Sequence, residues 1–342
     1  MKSSVIRNSS AQAGHRQSGV ALISVLLIFA IAAILAARMM SQGSIRAEQT
    51  GAYQLQQQLE AYARGGETYA IALLKEDWRQ DQAAGEQAYD HPSEPWGQLD
   101  RFALNTGHDT PDEGSLRIRI LPMDGFLNIN NLLKEDGGHS DVRYLTSLRQ
   151  LLNGNGVPEV LADQALDWID RNNIPTGLTG AEDNDYLLQT PAYRTSDQNL
   201  LDTDELMLLA AGSSEDRLRM SEMLVGLPSH TRINLNAANP DALAALLGQT
   251  KDQARSLLVG TEYVPIQSVT KFLTERSIPL ELAELFSIRS RFFMITTQVD
   301  WQAQRLALTT LLERDLDTGH VSVLQRRFQP VSQQRFIRQA EK

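Results

Sequence analysis

RQSGVALISVLLIFAIAAILAA, residues 16–37, is the stretch whose reading decides the rest of the chain. Val20 to Ala37 is an apolar run of 18 residues with no charge, ended by Arg38. As a helix it rises ~27 Å, enough for a bilayer core. Residues 1–19 carry Lys2, Arg7 and Arg16 and no acid, which places the N-terminus in the cytoplasm by the positive-inside bias. A secretory signal is one reading, because Ala30-Ile31-Ala32 offers a small-x-small cleavage site. The helical pattern, however, continues past the run. Leu55, Leu59, Tyr62, Gly66, Tyr69 and Leu73 step by three or four along one stripe, and no proline appears before Pro92. The periodicity predicts one helix from Val20 to about Trp78, with 20–37 in lipid and 38–78 an amphipathic stem. A signal destined for removal has no need to merge into such a stem.

Composition narrows the function classes. The 342 residues are 42% hydrophobic and 22% charged, which is globular rather than disordered. The net charge of -10 opposes a polyanionic partner, because phosphate neutralisation needs clustered Lys and Arg. With no cysteine, disulfides, thiolate metal sites and cysteine nucleophiles are excluded together. The six histidines are scattered, and no metalloprotease, nucleophile-elbow, Walker or dinucleotide motif is present, so the chain reads as no enzyme.

Residues 79–114 read as a connection rich in Asp, Gly, Pro and Gln. Leu116 to Leu121 alternates as a half-buried strand, and strand patterns return at Arg291–Val299, Arg305–Leu312 and His320–Phe328. Between them lie short helix candidates: Tyr144–Leu152, Val160–Ile169, Asp204–Ala211, Ser214–Leu224, Pro240–Leu247, Lys251–Leu258, Ile266–Leu273 and Leu280–Phe286. Asp202 or Thr203, and Asn239 before Pro240, mark helix starts. The expected fold is α+β. A long N-terminal helix packs on a small antiparallel sheet formed by 79–125 and 287–342, and an all-α domain, 126–286, is inserted between strands.

The densest set of oxygen ligands is Asp167-Trp-Ile-Asp170 followed by Asn172 and Gly180-Ala-Glu-Asp-Asn-Asp-Tyr186. Counted from Asp170, Gly177 falls at position eight and Glu182 at thirteen, which is not the EF-hand spacing. The composition suits a calcium shell of carboxylates and amide oxygens. It suits equally an acidic solvated loop whose Asp and Asn residues cap helices. Near 232–260, Arg232 to Gly248 followed by Lys251 to Leu258 is similar to a helix-hairpin-helix unit. Its hairpin, Leu247-Gly-Gln-Thr-Lys251, has one Gly and one Lys, so it reads as a protein-packing module rather than a DNA reader.

The basic leader ending in Gly19, the apolar helix beginning at Val20 and the amphipathic extension together resemble a type IV prepilin signal. Most proteins with that signal carry Glu at the fifth mature position; here it is Ser24. That departure, with Asp124-Gly-Phe-Leu-Asn-Ile-Asn-Asn-Leu132, the 167–186 cluster and Arg232-Ile-Asn-Leu-Asn-Ala-Ala238, is similar to the K-type minor pseudopilins of type II secretion (general secretion pathway protein K).

The resemblance implies cleavage of the 1–19 leader by prepilin peptidase between Gly19 and Val20, N-methylation of Val20, and a single-pass inner-membrane anchor with the bulk periplasmic. Its implied partners are the I- and J-type minor pseudopilins, met through the N-terminal helix, and the inner-membrane assembly platform. The implied role is to cap the tip of the periplasmic pseudopilus and support export of folded proteins. It also implies structural calcium. The ligand candidates are Asp170, Asn172, Glu182, Asp183 and Asp185, with Asp167 on the preceding helix turn, and a second ion near Asp197, Asp202 and Asp204. In other members the missing glutamate is thought to neutralise a neighbour's N-terminal amine, and a subunit at the tip has no such amine to meet. The competing reading is a membrane-anchored periplasmic helix-hairpin-helix protein that binds nucleic acid or another protein.

Overall fold

The computed structural model describes residues 18–85, 88–99, 101–104, 114–135, 138–301 and 304–329. The expected leader up to position 17, with Lys2, Arg7 and Arg16, and the last residues, 330–342, lie outside the described residues.

Helix α1 runs unbroken over Ser18–Ala84. It outlasts the expected end at Trp78 because Gln80 to Ala84 are mostly good helix formers, and Gly85, at φ 66°, follows in the left-handed conformation glycine tolerates. The chain divides into two compact units, 1–58 and 59–342, and each holds part of α1. In the first unit Leu22–Gln42 forms a 21-residue span of mean hydropathy 2.5, none of it buried. Its length and composition fit a single-pass membrane anchor.

In the second unit α1 is followed by β1 (Arg101–Leu104), β2 (Gly114–Pro122) and β3 (Leu127–Asn128). Then come α2 (Val142–Gly154), α3 (Val160–Ile169), α4 (Asp183–Tyr186) and α5 (Ser214–Met223). The short strands β4 (Leu224–Val225) and β5 (Ile233–Asn234) precede α6 (Pro240–Leu247), α7 (Lys251–Leu257) and α8 (Val269–Glu275). The chain closes with β6 (Phe286–Ser287), β7 (Phe292–Trp301), β8 (Gln304–Arg314) and β9 (Val321–Gln329). One five-stranded antiparallel sheet has the order β1-β2-β7-β8-β9, with everything from β3 to β6 inserted between two neighbouring strands.

The alternation expected for β2 holds: Leu116, Ile118 and Ile120 are buried while Arg117 and Arg119 are half-buried. The lone early strand finds its partner late in the chain, Ile118 opposite Thr297 on β7. The face that α1 lays on the sheet is rotated from the expected one. Leu59, Ala63, Gly66, Ala70 and Leu74 are buried, whereas Tyr69 is exposed and meets β1 edge-on at Phe102 (5.9 Å). Small residues win because the helix lies close. A Cβ on Gly66 would stand 3.0 Å from Thr297 Cγ2 and 3.3 Å from the Cδ1 atoms of Leu116 and Ile118. Glu67 is also buried on this side, accepting from Thr310 Oγ1 (2.6 Å) and Arg326 Nε (2.8 Å).

Three further expectations need correction. Residues 79–114 are not only a connection, since β1 pairs with the start of β2. The insertion is not all-α: β3 pairs in parallel with β4, and β5 with β6. Two helix candidates are 3-10 turns, Thr203–Leu208 and Leu280–Leu285, and α8 starts at Val269 rather than Ile266. One two-residue ladder ties the insertion's entry to its middle and the other ties its middle to its exit, and buried asparagines extend them. Asn130 donates to the carbonyls of Leu200 (2.9 Å) and Leu227 (2.8 Å) and accepts from Leu200 N (2.8 Å). Asn236 exchanges two such bonds with Ile266 (3.0 and 2.7 Å). A carboxamide has both a donor and an acceptor, so it can stand in for a backbone unit where no strand reaches. This explains the Asn-rich character of 128–131 and 234–236.

Candidate metal centre

Helix α3 delivers Asp167 in its last turn and Asp170 at its C-cap, both buried. The Asp167 carboxylate accepts from Thr176 N (3.0 and 3.1 Å), which folds the following loop back over the helix end. That turn closes with Gly180 N donating to the Thr176 carbonyl (3.0 Å). A side chain at Gly180 would collide with the Asp167 carboxylate and the Thr176 amide, so the loop needs glycine there. Asp170 accepts from Asn172 N (3.2 Å), and Asn172 from Ile174 N (2.8 Å), two consecutive Asx turns. From the far side, the amides of Ser196 and Asp197 donate to the Trp168 carbonyl (3.2 and 3.1 Å). Asp197 adopts φ 52°, and Thr195 Oγ1 lies 2.8 Å from its Oδ1. Trp168 stacks edge-on to Tyr186 (5.2 Å), giving the loop a rigid floor.

Glu182 is the odd group. It is 3% exposed, and both carboxylate oxygens are buried without a hydrogen-bond partner. Burial first, then the charges of Asp167, Asp170, Asp197 and Asp183, push its carboxyl up to about 8. Burial, with Asp167 and Asp197 adding, pushes Asp170 up to about 6. Among the described residues no Arg or Lys ion-pairs with Asp167, Asp170, Glu182 or Asp197. A buried carboxylate that accepts nothing is costly, so this oxygen-only, cysteine- and histidine-free set fits a hard cation.

The expected ligands therefore separate. Asp167, Asp170 and Glu182 are gathered, and Asp197, expected for a second ion, joins them electrostatically. Asp183 is engaged by Arg194 and by Thr195 (N 3.2 Å, Oγ1 3.0 Å). Asp185 accepts from Glu182 N (3.0 Å) and caps α4, and Asn172 is committed to its turn. Asp202 caps the 203–208 turn through Asp204 N (3.0 Å) and pairs with Arg327 of β9, which also lies 3.8 Å from Asp204. Those two acids tie the insertion to the sheet rather than joining Asp197. Gly19 and Val20 fall in the first turn of α1.

A second acidic group had no place in the sequence reading. Oxygens of Asp77 on α1 and of Asp90 and Glu94 in segment 88–99 all lie within 4.8 Å of one another. Arg314, fully buried at the end of β8, fills this group, donating to Asp77 (2.7 Å) and Asp90. Asp90 also accepts from Ser290 N (2.6 Å), and Glu94 from His91 N (2.8 Å) and Trp96 Nε1 (3.1 Å). A guanidinium already occupies the place of an ion, so this is an electrostatic joint and not a metal site. Its signal was in the sequence: continuing the stripe of Ala70 and Leu74 by three and four reaches Asp77 and Asp81. In the helix-hairpin-helix unit, the hairpin's Lys251 is engaged by Asp241 (2.5 Å).

Residues 125–229 match the family described as "Type II secretion system (T2SS), protein K". A Pseudomonas aeruginosa protein of the name "Type II secretion system protein K" is 32% identical over 91% of this chain and 92% of its own length. A Klebsiella pneumoniae protein of the same name is 29% identical over 92% and 97%. Among solved structures, a chain of the GspK-GspI-GspJ complex from enterotoxigenic Escherichia coli superimposes with a TM-score of 0.68 at 19% identity. That match covers 82% of this chain and 99% of the other, so the two share a fold. On this extent of similarity, the chain belongs to the type II secretion system protein K family.

Proposed function

We propose that this chain is a minor pseudopilin that caps the tip of the periplasmic pseudopilus together with I- and J-type partners and so supports export of folded proteins. It acts as a structural subunit rather than an enzyme. The observation that carries the reading is the large domain inserted between β2 and β7 of a pilin-like sheet, on a chain whose first helix is bare and apolar over Leu22–Gln42. An insertion of that size hinders stacking of identical copies in a repeating shaft, while a bare apolar helix can still pack on other stems. The E. coli structure, whose title places such a chain with GspI and GspJ, supports the choice of partners. The anchor sits in the inner membrane with its N-terminus cytoplasmic before processing. Calcium held by Asp167, Asp170, Glu182 and Asp197 fastens the loop of a protein that has no disulfide.

The absence of cysteine makes the test direct. A single cysteine replacing Tyr53, 65% exposed on the stem, is expected to cross-link in membranes to I- or J-type stems carrying matched cysteines. Abundant homodimers of the variant would place the chain along the shaft and overturn the cap reading. Processing is checked separately by mass spectrometry of the mature N-terminus. A methylated Val20 that appears only in cells with prepilin peptidase is expected, whereas Met1 or Ala33 as first residue refutes the prepilin route.

A further inference from the structure

Segment 88–99 crosses from the end of α1 to the sheet and the inserted domain, and polar groups and an aromatic hold it there. Asp90 N donates to the Ile288 carbonyl (2.8 Å), and Asn234 Nδ2 donates to the Asp90 carbonyl (3.1 Å). His91 places Nε2 on the Thr261 carbonyl (2.6 Å), while its Nδ1 accepts from Ser93 N (3.0 Å). Trp96 packs edge-on against Phe293 of β7 (5.7 Å). The segment thus binds the stem, the sheet and the helix-hairpin-helix unit at once. Beneath it the charges do not balance. Asp77 and Asp81 come from α1, Tyr89, Asp90, His91 and Glu94 from the segment, and Asp124 from the turn after β2. Facing these five carboxylates are two guanidiniums, Arg314 of β8 and Arg289 before β7, the latter 3.6 Å from Asp81. Arg291 is turned to Glu313, and Arg255 and Glu262 line the cleft of about 460 Å³ beyond His91.

We propose that residues 88–99 form a proton-gated strap, held shut over the stem–head joint when protons neutralise the surplus carboxylates and released when those protons leave. Burial and the neighbouring acids push Glu94 up to about 8, Asp77 and Asp124 to about 7, and Asp81 to about 6. These are acids raised above their ordinary values. The closed strap therefore binds more protons than the open one, and its closure is strongest in acid and weakens as pH rises through about 6 to 8. The ligand is the proton itself, and the sensing groups are Asp77 and Glu94, which meet across the joint.

Hydrogen exchange of the full-length chain in detergent, corrected for intrinsic chemistry and compared between about pH 6 and about pH 8.5, tests this. The amides of 88–99 are expected to lose about tenfold protection at the higher pH, while α3 and α6 keep theirs. Asp77→Asn with Glu94→Gln, which mimic the protonated forms, is expected to remove most of the difference, leaving the part that Asp124 and Asp81 contribute, and Glu94→Gln alone to reduce it measurably. Equal strap protection at both pH values overturns the proposal. So does a loss shared by α3 and α6, which marks general destabilisation, or a pH difference that survives in Glu94→Gln undiminished.

Discussion

Arg314→Met is expected to lower the unfolding free energy of the head by about 3–5 kcal/mol near neutral pH, the usual consequence of orphaning a buried ion-pair partner. The side chain is 0% exposed and carries its charge into contact with Asp77 from the stem helix and Asp90 from the strap. It also lies over the Phe293 ring at 4.8 Å. Methionine fills much of the volume but returns no charge, so two carboxylates are left buried against each other. Arg314→Lys is expected to recover only part of the loss, because a single ammonium cannot donate to both acids in the planar arrangement of a guanidinium. The penalty has a sign in pH. Asp77, already raised to about 7 by burial and by Asp90, takes up a proton as the solution is acidified, so the variant recovers towards wild type at about pH 5. Thermal melts in mild detergent at two pH values decide the matter. A cost below about 1 kcal/mol at neutral pH, or one equal at both pH values, would mean that Arg314 is not the joint's compensating charge.

Much of this architecture could be read from the chain, and the parts that could not share a physical cause. The apolar run, the long stem and the paired late strands follow from periodicity, which is local. The inward face of α1 does not, since an amphipathic count favours Tyr69 over Ala70. What excludes the larger residue is a sheet about one methyl group away at Gly66, a tertiary fact. The strands β3 to β6 have two residues each and no period to detect, and they exist because asparagine side chains and backbone ladders together bind distant parts of the insertion. The stripe legible in the stem ends at Leu73, which leaves Asp77 and Asp81 unread, although their spacing continues the buried stripe. At the candidate centre the composition located the loop and not the ligands. Whether an aspartate faces the candidate centre, an arginine or a capping amide depends on turns such as that of Thr176 to Gly180. Asp183 and Asp197, fourteen residues apart, share one threonine hydroxyl and go to different tasks.

Glu182→Gln should change the sign of its effect with calcium. Without the ion, wild type holds a carboxylate with two buried, unpartnered oxygens beside Asp167, Asp170 and Asp197. Its carboxyl, raised to about 8, must bind a proton there near neutral pH, whereas an amide of the same shape needs none and keeps the packing. In chelator near neutral pH the variant is therefore expected to melt at or above the wild-type temperature, because wild type must hold a proton on Glu182 at a pH well above the ordinary glutamate value and the amide needs none. With calcium the order reverses. At 100 to 1,000 times its dissociation constant the ion contributes about 2.7–4.1 kcal/mol to the protein that binds it, and the variant loses most of that. Asp185→Asn and Asp183→Asn, which alter neighbours engaged by a helix cap and by Arg194, should instead lower the melting temperature about equally with and without calcium. Terbium adds a second readout, since Trp168 adjoins the site and can sensitise the bound lanthanide. A solvated acidic loop predicts none of this: its melting temperature would not respond to calcium, and Glu182→Gln would be nearly silent in both conditions. The crossing of the wild-type and Glu182→Gln responses is thus the measurement that separates a built ion site from a collection of acids. A wild-type melt unmoved by calcium would remove the site from the account, whatever the variants do.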